Sequence, residues 1–145
     1  MNANTVVESV AKVLIINNKN EALVLVLGKD LKYPEKSYLP DLPGGIVDPG
    51  ESEQAAVIRE AKEECGIAID AKDVQLTCAE TDYYEEENKS VSKLLYVAQI
   101  YNVPKITLSW EHSDFKWVPI KELHTIEFRP FFKKAIEYVV AKGLI

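Results

Sequence analysis

Glu60, Glu63 and Glu64 fall at i, i+3 and i+4 inside the run Glu53 to Cys65. If that run is helical, the spacing places them on one edge of the helix. Like charges so spaced repel by about a few tenths of a kcal/mol per pair. Lys62 and Arg59 project elsewhere on the helical wheel, so nothing nearby answers the repulsion. Two chemistries fit. One is a solvated acidic face. The other is a site for a hard divalent cation, since Mg²⁺ takes oxygen ligands from a few carboxylates and keeps waters or substrate phosphates for the rest of its shell. Helical geometry alone leaves both open.

The helix these residues need is well specified. The Ser52 hydroxyl can accept a hydrogen bond from an otherwise orphaned amide of the first turn. Gly66 suits the left-handed residue just past a helix end. Between them, Glu53 to Cys65 holds mostly good helix formers and neither Pro nor Gly. At about 100° per residue, Ile58, Ala61 and Cys65 form an apolar stripe flanked by Val57. Ala56, Glu60, Glu63 and Glu64 form an adjacent stripe, with Glu53 one heptad back. Upstream, Gly44 and Gly45 permit positive φ or close backbone approach, and a carbonyl freed there could face a metal.

Gly45, five residues, Glu51, seven residues, and then Arg59-Glu60-Ala61-Lys62-Glu63-Glu64-Cys65-Gly66-Ile67 resembles the Nudix box. That pattern is G-x5-E-x7-R-E-U-x-E-E-x-G-U, with U a bulky aliphatic. Every Gly, Glu and Arg is in register; Ala61 stands where Ile, Leu or Val is usual, a change that bears on packing of the helix against a sheet. The box covers about a sixth of the chain. Further on, Glu111-His112 followed by Trp117-Val118 and Glu122-Leu123 is similar to a segment near the end of such domains. Resemblance to the MutT-like Nudix hydrolases implies an α/β/α sandwich. It also implies Mg²⁺-dependent hydrolysis, with Mn²⁺ as a substitute, of a phosphoanhydride bond in a nucleoside diphosphate linked to another group. Carried over, Glu60, Glu63, Glu64 and the backbone carbonyl of Gly45 are the metal ligands, and one of the glutamates is the base that activates water. Glu111, or a carboxylate of Glu85 to Glu87, is the fallback base. Arg59 orients Glu51 and the neighbouring glutamates through charge-assisted hydrogen bonds.

The rest of the chain must supply the scaffold. Its 145 residues are read as one domain, residues 1–145, long enough to bury a sizeable core. A net charge of −6 disfavours a nucleic-acid polymer as partner, which would call for a basic patch. The same charge makes a bound cation useful for holding a phosphate. Cys65 and Cys78 are too few for a disulfide framework or a zinc site, and Cys65 reads as a small buried hydrophobe. No basic segment followed by an apolar core opens the chain, and no apolar run approaches 18 residues. The expectation is a cytoplasmic protein that avoids membranes.

Val6 to Ile16 and Glu21 to Leu27 read as hairpin strands about the turn Asn17 to Asn20. Lys29 to Pro40 reads as a loop reaching over the site. Val74 to Tyr84 and Ser90 to Tyr101 read as strands about an acidic tip, Glu85 to Lys89. Ile106 to Trp110 and Phe115 to Val118 read as strands about Glu111 to Asp114, followed by a helical turn at Ile120 to Leu123. Pro130 opens a last helix that Gly143 ends, with Phe132, Ala135, Ile136, Val139 and Val140 on its apolar side. Strands before and after one helix, plus a final helix, make an α/β fold with a mixed sheet covered on both faces.

Other hydrolytic and nucleotide motifs are missing: there is no G-x-S-x-G, no G-x-x-x-x-G-K-[ST] and no G-x-G-x-x-G. For a base or sugar, Tyr38, Tyr83, Tyr84, Phe115 and Trp117 are candidate walls, with Glu111 a further candidate contact, although such aromatics are more often core than ligand wall, Trp117 especially. Tyr83, sixteen residues past the box, resembles an arrangement in Nudix enzymes for dinucleoside polyphosphates. Compact length puts a nucleoside triphosphate pyrophosphatase of the housecleaning type first. A dinucleoside polyphosphate hydrolase and a non-catalytic nucleotide-binding sensor are the alternatives. Exposed apolar residues on the first hairpin or the last helix would suit a homodimer.

Overall fold

A computed structural model describes residues 3–145. Its centre is β1 (Val6–Ile16), whose second half is buried on both faces. Side chains alternate across a strand. Ala11, Val13 and Ile15 therefore face one apolar cluster, and Leu14 and Ile16 face a second on the opposite side. A strand covered on both faces reads as a continuous apolar run, as Val13-Leu14-Ile15-Ile16 does. The one interruption is Lys12, on the same face as Leu14 and Ile16, and it too is buried.

The first cluster is closed by α1 (Glu53–Cys65) and the second by α2 (Pro130–Ala141), which gives the expected α/β/α sandwich. The sheet is mixed. β1 runs parallel to β6 (Lys89–Gln99) along its whole length, and β6 runs antiparallel to β5 (Val74–Tyr84). On its other side β1 pairs antiparallel with β4 (Gly44–Ile46). β2 (Glu21–Leu27) lies between β3 (Pro40–Asp41) and β7 (His112–Pro119), antiparallel to both.

Helix α1 begins and ends where the sequence predicts. Ser52 Oγ accepts from the Ala55 amide at 3.1 Å. Gly66 adopts φ 75°, and its amide bonds back to the last turn. Its faces differ from the wheel drawn above. Ala56, Val57, Ala61, Glu64 and Cys65 are buried while Ile58 is only half-buried. The sheet thus meets the 57–61–64 side, and Glu64 belongs to the buried face, whereas Glu63 stays exposed.

Three further expectations are corrected. The β1–β2 hairpin pairs only at Ile16↔Ala22, because β1 takes β4 and β6 as partners while β2 takes β3 and β7. Residues 106–109 form no strand. This segment instead caps α1: the Thr107 amide donates to Cys65 O and the Ser109 amide to Glu64 O, each at 3.0 Å. Helix ends leave such carbonyls without partners, and an extended neighbour satisfies them. The last antiparallel strand is correspondingly longer than Phe115 to Val118, starting at His112. Among the described residues, no helix is long and apolar enough to cross a membrane.

Candidate active site

Arg59 organises the acidic edge of α1. Its Nε and Nη2 donate to the two oxygens of Glu51 at 2.7 and 2.9 Å, a bidentate pair. Nη1 reaches Glu60 Oε1 and Glu63 Oε2, both at 3.2 Å, and Nη2 lies 3.4 Å from Asp48 Oδ2. The wheel that sends Arg59 away from the glutamates is therefore wrong for its long side chain, which folds back along the helix to Glu63 at i+4. The Arg59 hydrogen bonds also lower the Glu51 carboxyl below its ordinary value.

Gly44 and Gly45 bring backbone against the helix. The Gly44 amide donates to Glu64 Oε1 at 2.8 Å. A Cβ on Gly45 would come within 3.2 Å of Glu60 Oε1, so strand and carboxylate meet there with no side chain between them. The donors gathered here are all oxygens, which suits Mg²⁺ or Mn²⁺ rather than a thiolate- or imidazole-seeking metal. Among the described residues, no three acidic groups converge on one point: Glu60 and Glu63 lean towards Arg59 and Glu64 towards Gly44. Cys65 is spectator chemistry, its Sγ on Ala61 O and its thiol pushed by burial up to about 12.

Behind Glu64 lies a buried polar chain. His112 Nδ1 sits 3.5 Å from Glu64 Oε2 without a hydrogen bond, while Nε2 is 2.9 Å from Asp41 Oδ2. Lys12 Nζ is 2.9 Å from Asp41 Oδ1 and also donates to Leu42 O at 3.2 Å. Burial drives the Glu64 carboxyl well above the ordinary carboxylate range. Asp41 goes the other way. Burial would raise it, but the His112 hydrogen bond, the Lys12 charge and further hydrogen bonds together hold it at about 2. Folded Asp41 thus titrates below its unfolded value of 3.8. It contributes about 2 kcal/mol above pH 4, lost as pH falls from about 4 to about 2. Urea unfolding should show Asp41→Asn well below the native chain at pH 7, with the gap closing towards pH 2.

The remaining sequence candidates are scattered. Glu111 is exposed at the tip before β7, near enough for its charge to be felt at Glu64. Phe115 and Trp117 are half-buried and pack on the α1-side core. Tyr38 is exposed, at φ 61°, in the loop of residues 28–39. Tyr83 is at the β5–β6 tip with its hydroxyl on Asn88 Oδ1 at 2.8 Å, and Glu85 to Glu87 are exposed in the turn beyond it. Sequence reasoning passed over Lys12, Asp41 and a cleft of about 470 Å³ lined by Lys29, Lys36, Trp110 and Glu111. A lysine inside an apolar strand was the available signal for the first.

Fold and site together define a class: a two-faced mixed sheet whose central helix displays glutamates bound to one arginine, behind a glycine pair. The chain belongs to the Nudix family, the NUDIX domain matching residues 7–139. It is a hydrolase of the phosphoanhydride type, and the family generally uses divalent metal ions. It is similar to the asymmetrical bis(5'-nucleosyl)-tetraphosphatase of Caenorhabditis elegans, 35% identical over 75% of this chain and 78% of that one. It is also similar to the RNA pyrophosphohydrolase of Nitratiruptor sp., 32% identical over 77% and 87%. Among solved structures, the MutT protein from Methanosarcina mazei superposes with a TM-score of 0.77 at 26% identity, covering 98% and 99% of the two chains.

Proposed function

We propose that this chain hydrolyses dinucleoside polyphosphates asymmetrically, by metal-assisted attack of water on one phosphorus of the chain. The observation that carries this reading is the cleft beside Glu111. It is lined by Glu111, whose charge reaches Glu64 of α1, presents Lys29 and Lys36 beside Asp30, and is bordered by Trp110, which is 90% exposed. Its two lysines could each meet a phosphate while Asp30 and Glu111 balance their charge, and an uncovered indole suits a base. A substrate with a base on each side of its phosphates would use both the α1 edge and this cleft. Similarity to the C. elegans tetraphosphatase supports the same choice.

Glu60, Glu63, Glu64 and the Gly45 carbonyl would hold Mg²⁺, which neutralises charge on the phosphate oxygens when bound. Arg59 keeps Glu60 and Glu63 on one edge and anchors them to Glu51. A glutamate of this group takes the proton of the attacking water. Nucleoside triphosphate pyrophosphatase activity, the first choice from sequence, stands second, favoured by the similarity to a putative 8-oxo-dGTP diphosphatase of Bacillus subtilis.

Diadenosine tetraphosphate, ordinary and oxidised nucleoside triphosphates, ADP-ribose and nucleotide sugars would be incubated with Mg²⁺ and their products resolved by chromatography. Diadenosine tetraphosphate should give ATP and AMP with the highest kcat/KM. Trp110→Ala should raise its KM about tenfold with kcat largely kept, because base–aromatic stacking is worth about 1–3 kcal/mol per base. A triphosphate turned over tenfold more efficiently would reject the proposal.

A further inference from the structure

Four ionisable side chains in this protein come from four separate elements and meet out of water: Lys12 of β1, Asp41 of β3, Glu64 of α1 and His112 of β7. Burying such groups is costly, and well-packed apolar side chains would serve stability as well or better. Their geometry has a direction. Asp41 spends one oxygen on Lys12 and the other on His112 Nε2. A carboxylate on Nε2 fixes the ring's orientation and makes Nδ1 the atom that looks onward. That atom has no hydrogen-bond partner and faces Glu64 Oε2 at 3.5 Å, while Glu64 Oε1 is held by the Gly44 amide. One oxygen of Glu64 is therefore held by the Gly44 amide and the other is walled by the His112 ring, and neither bonds to Arg59. Lys12 works on the other ligand as well. Its Nζ reaches Leu42 O at 3.2 Å and Gly44 O at 3.5 Å, on the segment that leads into the Gly45 carbonyl.

We propose that Asp41 and His112, backed by Lys12, are positioning residues for Glu64: they fix how this buried carboxylate and the adjacent glycine strand present oxygen to a divalent cation. This rests on the metal-dependent reading of the α1 edge. His112 touches neither substrate nor cation. Packed 3.5 Å from Oε2 without bonding to it, the ring limits where that oxygen can turn and leaves its lone pairs free for a cation. Outer partners of metal ligands commonly govern affinity by 10- to 100-fold.

The test is Mn²⁺ binding to the substrate-free protein, read from the EPR signal of free Mn²⁺, on the native chain, Asp41→Asn, His112→Ala and His112→Gln. Asp41→Asn and His112→Ala should weaken Mn²⁺ about 10- to 100-fold and raise the Mg²⁺ concentration for half-maximal turnover in proportion. The nucleotide KM at saturating metal should move less than about twofold. His112→Gln, whose amide can still donate to Asp41, should recover part of the affinity. If His112→Ala does not fold, the nearly isosteric Asp41→Asn decides. Native-like Mn²⁺ affinity in variants that merely melt earlier would overturn the proposal and leave the metal reading standing. No Mn²⁺ binding by the native chain would sink both.

Discussion

Glu63→Gln is expected to lower kcat by about 10³-fold at saturating Mg²⁺ while leaving the melting temperature within about 2 °C of native. The side chain is 59% exposed and its recorded partner is Arg59 Nη1 at 3.2 Å. An exposed i,i+4 pair of this kind contributes about 0.3–0.5 kcal/mol. Arg59 would keep its bidentate grip on Glu51 and its contact with Glu60. The substitution therefore alters charge with almost no change in shape, packing or the remaining ion pairs. A solvated acidic face would give native kcat in the variant. A ligand to the cation would give a folded, inactive protein. Steady-state kinetics and a thermal melt on one preparation separate the two.

Gly44→Ala should be more damaging than a methyl at any other glycine of the chain. Gly44 has φ 137°, a conformation that side chains rarely adopt. A Cβ there would run into the Ala11 carbonyl and come within 2.6 Å of Lys12 Cα and 2.9 Å of Lys12 Cγ. Relief would require β4 to leave β1, which would also withdraw the amide that holds Glu64. Backbone strain of about 1–3 kcal/mol and overpacking of about 1–3 kcal/mol add to a large share of the 5–15 kcal/mol typical of a domain. We expect a melting temperature lower by about 10 °C or more, or failure to fold. Gly50→Ala is the control. Gly50 has φ 82° but open space around its Cβ position, so only the conformational cost applies. Equal melts for the two variants would refute the packing argument.

What could be read from the sequence was what is local. Caps, helix formers and the glycine after the last turn set the bounds of α1, because they act within a few residues of the chain. Spacing within that helix put the glutamates near one another, but the contact of Arg59 with them was implied only by the resemblance, and the turn of Glu64 to the buried face was missed. What failed was non-local. Nothing in Ile106 to Trp110 says that its amides will meet the last carbonyls of α1 instead of a neighbouring strand. Nothing in Val6 to Leu27 says that the strand pair will part after one residue pair. Lys12 and Asp41 acquire meaning only when strands distant in sequence set them beside His112. Tyr83, matched by counting residues, stands at a hairpin tip with its hydroxyl on Asn88, a placement that counting alone does not give.

The parallel pairing of β1 with β6 joins Val6 to Lys89 and runs unbroken to Ile16 with Gln99, residues 83 apart in sequence. During synthesis the centre of the sheet must therefore wait until most of the chain has emerged. Until then Val13 to Ile16 and Ala22 to Val26, apolar and rich in β-branched residues, have no lasting cover. Long-range pairing of this kind slows folding, since the loop must close before any contact is gained. The strand that sets out both cores thus waits for a partner 83 residues on, and β2 waits longer still for β7, so late closure of the sheet is built into the order of its strands.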